Sequence, residues 1–329
     1  MSEKIKKTKV SKKSILVTGG AGFIGSHLVK RLAADGYEIV IVDDLNDYYD
    51  PQLKRDRLDI LLKDSDYVFE KVNIANLANL KKVFEKYNFD MICHLAAQAG
   101  VRKSLKDPWI YEQSNILGTM NLLELAKDFD VKKFVFASSS SVYGGNTKVP
   151  FSESDRVDSP VSFYACTKRS KELLAHTYNH LYGTKITALR FFTVYGPWGR
   201  PDMSYFGFTD LMTQGKQIDV YNHGKMRRDF TYIDDVVDGI VSALEKDFNF
   251  EIFNLGNNKP VELMKFIEIL EENLGMKADK RYLPMQPGDV VETWADIEKA
   301  KKELGYDPKT TIEGGLKKFV DWYKEYNKS

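Results

Sequence analysis

A glycine-rich segment near the amino terminus restricts the fold of this chain more than any other feature. Thr18-Gly19-Gly20-Ala21-Gly22-Phe23-Ile24-Gly25 follows the apolar run 15–17 and opens a stretch with helical periodicity. Glycines allow a tight turn and a close backbone approach, and a helix that begins there directs free N–H groups at an anion. A second apolar run, 39–42, ends in Asp43, at the distance expected of an acid that binds a ribose. This order predicts a βαβ unit that binds a dinucleotide.

Short apolar runs alternate with helical patterns as far as residue 190. Alternating strands and helices form parallel sheets with right-handed crossovers, whose ligands bind beyond the carboxyl ends of the strands. The predicted fold is therefore α/β, a doubly wound parallel sheet of the Rossmann type. The runs that predict strands are 15–17, 39–42, 67–72, 91–95, 134–137 and 186–189.

Loops and scattered helices replace this alternation after residue 190. The segment 195–201 is rich in glycine, proline and aromatic residues. Helical patterns lie near 234–245, 262–273 and 313–326. We expect a dinucleotide-binding domain over 14–190 and a smaller α/β substrate-binding region over 191–329, with some chain crossing back to the sheet.

Composition argues against several classes of protein. Residues 1–13 hold six lysines and one glutamate and are expected to form a basic disordered tail; since the whole chain carries +1, the remainder carries −4. No nucleic-acid partner is expected for this mildly acidic body. No apolar stretch approaches about 18 residues, and residues 1–13 lack the apolar region that a signal peptide needs, so neither a membrane partner nor export is expected. The widely spaced Cys93 and Cys166 indicate a reducing compartment, most simply the cytoplasm.

Tyr164 and Lys168 form a Tyr-x-x-x-Lys motif in the middle of the chain. This spacing places the two side chains one turn apart on one face of a helix. A tyrosine with a pKa of about 10 is a weak base at neutral pH, but a nearby ammonium and an oxidised nicotinamide both favour its phenolate. Tyr164 is therefore predicted to act as a general base on a hydroxyl group.

A run of four serines, 138–141, follows the apolar run 134–137 at the sheet edge where a substrate is expected. Their hydroxyls can donate hydrogen bonds to an oxyanion or relay a proton. An ordinary serine-rich turn is the alternative interpretation, and the tyrosine motif that follows favours the site. His176 and His180 have a metal-compatible spacing but lack a third ligand, so no metal is expected.

Four further stretches carry a resemblance to a known family. They are 94–102, 190–203, 228–235 and 284–290. Together with the two motifs above, they make the chain similar to the extended short-chain dehydrogenases/reductases, and more narrowly to the nucleoside-diphosphate-sugar epimerases of UDP-glucuronate. The resemblance implies NAD as the cofactor, a UDP-sugar as the substrate, and a homodimer.

The resemblance also implies which residues bind the cofactor. Gly19, Gly22 and Gly25 would form the pyrophosphate turn, and Asp43 would accept from the adenine-ribose hydroxyls while repelling the 2′-phosphate of NADP. Asn73 stands where many relatives have an aspartate near the adenine amino group, and its amide oxygen can still accept that bond. The further cofactor contacts implied are Phe23, Ile24, Ile74, Leu95, Ala96, Ala97 and Asn115, together with Tyr164 and Lys168.

The implied substrate contacts divide into two groups. Arg228 would hold the diphosphate and Asp289 the uridine ribose. Lys168 would bind the nicotinamide ribose and tune Tyr164, the base, while Ser139 hydrogen-bonds the reacting hydroxyl. The carboxylate of the sugar would be gripped by Ser140, Ser141 and Thr193, with Arg200 helping to close a loop over the sugar or nucleotide.

Ser141 discriminates between reactions. Related dehydratases and decarboxylases carry an acidic residue at this position, whereas a serine supports only oxidation and re-reduction at C4. The predicted reaction is 4-epimerisation of UDP-glucuronate to UDP-galacturonate through a 4-keto intermediate. Two alternatives stay open: a 4-epimerase of a neutral UDP-sugar such as UDP-glucose, and a non-catalytic NAD-sensing regulatory protein.

The helical segment after Lys168 carries apolar side chains at Leu174, Tyr178 and Leu181. In members of the family that it resembles, such a helix commonly packs against a helix of the second subunit in a dimer. Core packing within one chain is the alternative.

Overall fold

The computed structural model describes residues 13–286 and 289–328, so the predicted tail lies outside the described residues except for Lys13. The strands are β1 (Ser14–Thr18), β2 (Glu38–Asp43), β3 (Val68–Lys71), β4 (Met91–His94), β5 (Lys133–Ser139), β6 (Lys185–Phe191), β7 (Thr193–Tyr195), β8 (Ile218–Val220), β9 (Arg227–Tyr232), β10 (Phe250–Leu255), β11 (Pro260–Glu262) and β12 (Lys280–Tyr282). The α-helices are α1 (Phe23–Ala34), α2 (Pro51–Asp56), α3 (Leu77–Lys86), α4 (Val101–Ser104), α5 (Pro108–Tyr111), α6 (Gly118–Asp128), α7 (Phe163–Tyr182), α8 (Ser204–Thr213), α9 (Ile233–Glu245), α10 (Leu263–Leu274), α11 (Glu298–Leu304) and α12 (Ile312–Tyr326).

Seven parallel strands form the central sheet in the order β10-β6-β5-β4-β1-β2-β3. The predicted α/β doubly wound fold is confirmed, and each predicted strand is present. Strand β10 is not among the predicted strands, because its apolar run is interrupted by Glu251 and Asn254. The strand order reverses between β1 and β4, which opens a crevice at the carboxyl ends of the strands.

Two hydrophobic clusters cover the two faces of the sheet. Alternation along β1 directs Ile15 and Val17 into the cluster that contains α1 and α9, and Leu16 into the cluster that contains α3 and α6. Successive side chains of a strand point to opposite faces, so an uninterrupted apolar strand must be covered on both sides. The two-sided burial explains why these strands read as continuous apolar runs.

A smaller sheet, in the order β11-β9-β7, belongs to the second half of the chain. A buried carboxylate organises it: Asp229 of β9 accepts from the backbone N–H groups of Asn257 (2.6 Å), Asn258 (3.0 Å) and Ala295 (3.0 Å). Burial raises the pKa of this carboxyl, and the three N–H groups act against that rise. Asp229 therefore holds two distant loops against the strand that carries Arg228.

A buried ion pair fastens α7 to the sheet. Glu172 accepts from Arg190 Nε and Nη2, both at 2.9 Å, and from Ser138 Oγ at 2.6 Å. Arg190 also donates to the hydroxyl of Tyr143 (3.0 Å), which in turn donates to Asn254 (2.7 Å). Burial opposes the charge of Glu172, but the hydrogen bonds from Arg190 hold the pKa of the carboxyl below its usual value. The network joins β5, β6, β10 and α7.

Lys171, the preceding residue, is also fully buried but lacks such partners. Its Nζ makes no hydrogen bond to any described residue and lies 5.5 Å from the centre of the Phe136 ring. Burial, and then the charge of Lys168, lowers the pKa of Lys171 well below its usual value. On α7, Glu172, whose buried carboxylate has several hydrogen-bond donors, thus stands next to Lys171, whose buried amine has no hydrogen-bond partner among the described residues.

Lys171→Met is expected to raise the free energy of unfolding at pH 7 by about 1–3 kcal/mol, because it removes a buried amine without a hydrogen bond. The folded-state pKa of Lys171 lies below the unfolded value of about 10.4, so between the two the unfolded chain binds more protons and stability rises with pH. The gain from the variant should therefore shrink as the pH rises. Urea unfolding at pH 7 and pH 9 measures both effects.

Two neighbouring substitutions serve as controls. Glu172→Gln should destabilise by about 3–5 kcal/mol, since it leaves the charge of Arg190 buried without its counter-ion. Lys317→Met removes an exposed lysine of α12 and should change stability by less than about 0.5 kcal/mol. A Lys171→Met protein that is as destabilised as Glu172→Gln would contradict the prediction.

Candidate active site

A cavity of about 820 Å³ lies at the carboxyl ends of the parallel strands. Residues from the segments that follow β1, β2, β4, β5 and β6 line it, as do residues of β9 and α7. It brings together all the predicted site residues except Asn115: Gly19, Gly22, Phe23, Ile24, Gly25, Asp43, Asn73, Ile74, Leu95, Ala96, Ala97, Ser139, Ser140, Ser141, Tyr164, Lys168, Thr193, Arg200, Arg228 and Asp289.

The glycine turn is packed so tightly that side chains cannot be added. Gly19 has a φ of +74°, and a Cβ there would lie 2.7 Å from the backbone nitrogen of Ala96. A Cβ on Gly25 would lie 2.1 Å from the carbonyl oxygen of Gly19. No side chain caps the start of α1 at Gly22, so its first N–H groups are available to an anion. These residues fit the pyrophosphate of a dinucleotide.

Asp43 connects this turn to the loop after β2. Its carboxylate accepts from the backbone N–H groups of Ala21 (3.2 Å) and Leu45 (2.9 Å), and burial raises the pKa of the carboxyl. Asn73 donates to Asp44 (3.0 Å), and its amide oxygen accepts from the backbone of Ala75 (2.8 Å). That oxygen keeps one further acceptor position, as an adenine contact requires.

Tyr164 and Lys168 lie in the first two turns of α7, which Ser162 caps through a bond from the N–H of Ala165 (3.1 Å). Lys168 Nζ lies 5.6 Å from the centre of the Tyr164 ring and donates to the carbonyl of Ala137 at 3.0 Å. Burial lowers the pKa of Lys168. The carbonyl of Ala137 thus holds the Lys168 ammonium beside the phenol ring of Tyr164.

The serine run turns sharply after β5. Ser139 Oγ accepts from the backbone N–H of Ser141 (3.2 Å) and donates to its hydroxyl (3.1 Å). A single 3₁₀ turn, Ser140–Tyr143, begins there and carries the hydroxyls along the cavity wall. Neutral hydroxyl groups, and no carboxylate, therefore occupy this part of the wall.

Arg200 is held by a residue that the sequence analysis missed. Its Nε and Nη2 donate to the two oxygens of Asp202 at 2.9 and 2.6 Å, and Tyr48 donates to the same carboxylate at 3.1 Å. Burial opposes the charge of Arg200, but Asp202 outweighs burial and raises the pKa of the guanidinium. Asp202 lies within the stretch that carried the resemblance, whereas no local pattern marks Tyr48.

Two further arginines, Arg228 and Arg102, also line the cavity. Arg228 donates to the backbone carbonyls of Val290 (2.7 Å) and Val291 (3.0 Å), and burial lowers the pKa of its guanidinium. Asp289 accepts from Arg102 Nη2 at 3.1 Å. The sequence analysis assigned no role to Arg102, although it ends a stretch that carried the resemblance. Both guanidinium groups therefore already have acceptors within the chain.

Asn115 does not line the cavity. It is fully buried, where it accepts from the backbone N–H of Gln98 (2.8 Å) and donates to the carbonyl of Gln98 (3.0 Å) and to Thr167 (3.0 Å). The side chain thereby supports the cavity wall between β4 and α7.

Two kinds of feature are absent from the part of the chain that the structure describes. Among residues 13–286 and 289–328, no group of three or more His, Cys, Asp or Glu side chains is arranged to hold a metal ion. No helix in the same part of the chain has the length and hydrophobicity needed to cross a membrane.

Comparison with known proteins agrees with the geometry. Residues 15–256 match the NAD dependent epimerase/dehydratase family. The chain is 58% identical to an uncharacterized protein of Methanocaldococcus jannaschii, over 95% of this chain and 97% of that protein. It is 50% identical to the UDP-glucuronate 4-epimerase of Thermodesulfobacterium geofontis, over 94% and 96%.

A solved structure extends this similarity to three dimensions. The UDP-glucuronic acid 4-epimerase of Bacillus cereus, in complex with UDP-glucuronic acid and NAD, superimposes with a TM-score of 0.89 at 38% identity, over 95% of this chain and 99% of that one. The predicted resemblance and NAD as the cofactor are confirmed. The chain belongs to the NAD dependent epimerase/dehydratase family.

Proposed function

We propose that this protein interconverts UDP-glucuronate and UDP-galacturonate by NAD-dependent epimerisation at C4. One observation carries the proposal. Tyr164 and Lys168 line the same cavity as the serine run 138–141, and position 141 of that run is a serine and not an acidic residue. The names of the relatives from Thermodesulfobacterium geofontis and Bacillus cereus support the same substrate.

Tyr164 moves the proton in the proposed mechanism. It accepts the proton of the C4 hydroxyl and later returns it, while Lys168, hydrogen-bonded to Ala137, stabilises the phenolate. Bound NAD, held by the glycine turn and Asp43, would supply the reversible hydride acceptor that the change at C4 requires. Ser139 donates to the reacting oxygen, which becomes a carbonyl in the 4-keto sugar. Rotation of that sugar between the two transfers inverts C4.

The carboxylate of the sugar must be bound by uncharged groups. Oxidation at C4 makes a β-keto acid, which loses CO₂ when its carboxylate bond stands perpendicular to the carbonyl plane. Ser140, Ser141 and Thr193 can hold the carboxylate through hydroxyl groups. The Nε and Nη2 donors of Arg200 are occupied by Asp202, so this fork is not free for the substrate carboxylate. Epimerisation is thereby favoured over decarboxylation.

The nucleotide is proposed to bind beside Arg228, Arg102 and Asp289 of the cavity lining. Arg228 faces the diphosphate and Asp289 the uridine ribose, with Arg102 adding a second guanidinium beside them. Guanidinium groups suit phosphate oxygens because several N–H donors lie in one plane.

Incubation with UDP-glucuronate, followed by NMR with and without added NAD, tests the function. We expect UDP-galacturonate to accumulate to an equilibrium mixture, since each turnover regenerates the cofactor. Release of CO₂ with a pentose product would contradict the role of Ser141. Turnover of UDP-glucose in place of UDP-glucuronate would identify a neutral-sugar epimerase instead, and NAD binding without any turnover would favour a sensing protein.

Tyr164→Phe is expected to lower kcat for this reaction by at least about 10²-fold, because it removes the hydroxyl that transfers the proton. Bound NAD should be retained, since the ring and Lys168 stay in place. Tyr182→Phe, at an exposed tyrosine of the same helix, is the matched control and should keep wild-type kcat. Full turnover by Tyr164→Phe would disprove the assignment of the base.

We also propose a homodimer formed through α6 and α7. Of the three residues predicted to pair, Leu181 is exposed, whereas Leu174 and Tyr178 pack partly against the core of their own chain. Exposed apolar side chains continue the surface at Leu173 on α7 and Met120 on α6.

The double variant Leu173→Glu/Leu181→Glu is expected to sediment as a monomer at micromolar concentration, where the wild type sediments as a dimer. Charges on an apolar contact must be desolvated, which opposes association. Ile60→Glu, at an equally exposed side chain far from these helices in sequence, should leave the dimer intact. A monomeric wild type would contradict the proposal.

The compartment and pathway class are proposed on chemical grounds. Cys93 and Cys166 are both free thiols, as a reducing cytoplasm would keep them. UDP-galacturonate is an activated sugar, so the product is proposed to supply polysaccharide biosynthesis.

A further inference from the structure

Arg57 is a buried arginine that does not line the cavity and has no role in the mechanism proposed above. It lies in a π-helical turn, Arg57–Leu61, that continues α2, and its side chain is fully buried. Among the described residues it forms no ion pair with a carboxylate. Its charge is therefore balanced only by neutral hydrogen-bond acceptors.

Every N–H group of the Arg57 guanidinium has an acceptor. Nε and Nη2 donate to the carbonyl of Trp198 at 3.0 and 2.8 Å, and Nη2 donates to that of Gly199 at 3.0 Å. Nη1 donates to the carbonyl of Ala21 at 3.2 Å and to the hydroxyl of Tyr49 at 2.6 Å. One rigid group thus joins three segments: the glycine turn, the loop after β2 and the loop after β7.

The segments on both sides of Arg57 belong to the candidate active site. Ala21 belongs to the glycine turn that fits the pyrophosphate, and Trp198 and Gly199 directly precede Arg200. Trp198 has a φ of +60°, a conformation that bulky residues rarely adopt and that requires support from its surroundings. The two bonds from Arg57 to the Trp198 carbonyl supply such support. The position of Arg200 is therefore connected to the position of the glycine turn.

We propose that Arg57 is a positioning residue that couples the glycine turn to the loop carrying Arg200, so that the sugar is held correctly only when the turn is in place. This inference rests on the proposed function. Arg57 acts through the Ala21, Trp198 and Gly199 carbonyls. A lysine would keep the charge but could not replace the planar set of five donors.

Arg57→Lys tests the geometry separately from the charge. We expect kcat with UDP-glucuronate to fall at least about tenfold, because small displacements in a site cost much rate. We also expect a larger share of product that has lost CO₂, because a displaced Arg200 loop holds the 4-keto sugar less firmly. If Arg57 had only a structural role, the variant would contain a smaller fraction of active protein. The share of decarboxylated product and the KM for UDP-glucuronate would then be unchanged.

Arg55→Gln is the matched control, since it changes an exposed arginine of the preceding helix and should keep wild-type kcat and product ratio. If Arg57→Lys does not fold, Tyr49→Phe removes one acceptor of Nη1 and should shift the product ratio in the same direction. Wild-type values in Tyr49→Phe would then overturn the proposal.

The two proposals fail in different ways. A wild-type protein that epimerises UDP-glucuronate, beside an Arg57→Lys variant with unchanged kcat and product ratio, overturns the coupling and leaves the function standing. A wild-type protein that turns over no UDP-uronate contradicts the function, and the coupling is overturned with it.

Discussion

The buried ion pair between Glu172 and Arg190 sets the position of α7, and the catalytic geometry depends on that position. Glu172 lies one turn beyond Lys168 and accepts from both Arg190 of β6 and Ser138 of β5. The helix that carries Tyr164 therefore cannot shift along the sheet without breaking charge-assisted bonds in a medium of low dielectric constant. The serine run starts from β5, so Tyr164, the proposed base, and the serine hydroxyls are held in place by the same ion pair.

Elsewhere in the site, buried polar groups hold loops that have little regular structure. Asp43 joins the glycine turn to the loop after β2, and Asp229 holds two loops against β9. Arg57 has the complementary role, because it donates to carbonyl groups where the carboxylates accept from N–H groups. Loops whose backbone N–H and C=O groups are hydrogen-bonded to buried side chains have few alternative conformations. The cavity is therefore preorganised for a charged ligand.

The distribution of charge along the cavity matches the proposed chemistry. Hydroxyl groups occupy the wall near Tyr164, and the guanidinium of Arg200 is paired with Asp202. Arg228 and Arg102 add guanidinium groups to the cavity lining, where the diphosphate is proposed to bind, and Arg102 is paired with Asp289. In the proposed reaction, an uncharged sugar subsite would limit the loss of CO₂ from the β-keto acid, and the arginines of the proposed nucleotide subsite would supply binding energy away from the reacting carbon.

The sequence by itself determined the features that depend on neighbouring residues. These are the alternating strands and helices, the turn that requires Gly19 and Gly25, and the Tyr164 and Lys168 pair one helical turn apart. Tertiary structure alone decided which distant groups meet: Arg57 with the Trp198 carbonyl, 141 residues away, and β10 with the sheet. Local periodicity and backbone sterics depend on residues that are close in the sequence. A buried donor, by contrast, bonds to an acceptor that only the folded chain brings within about 3 Å.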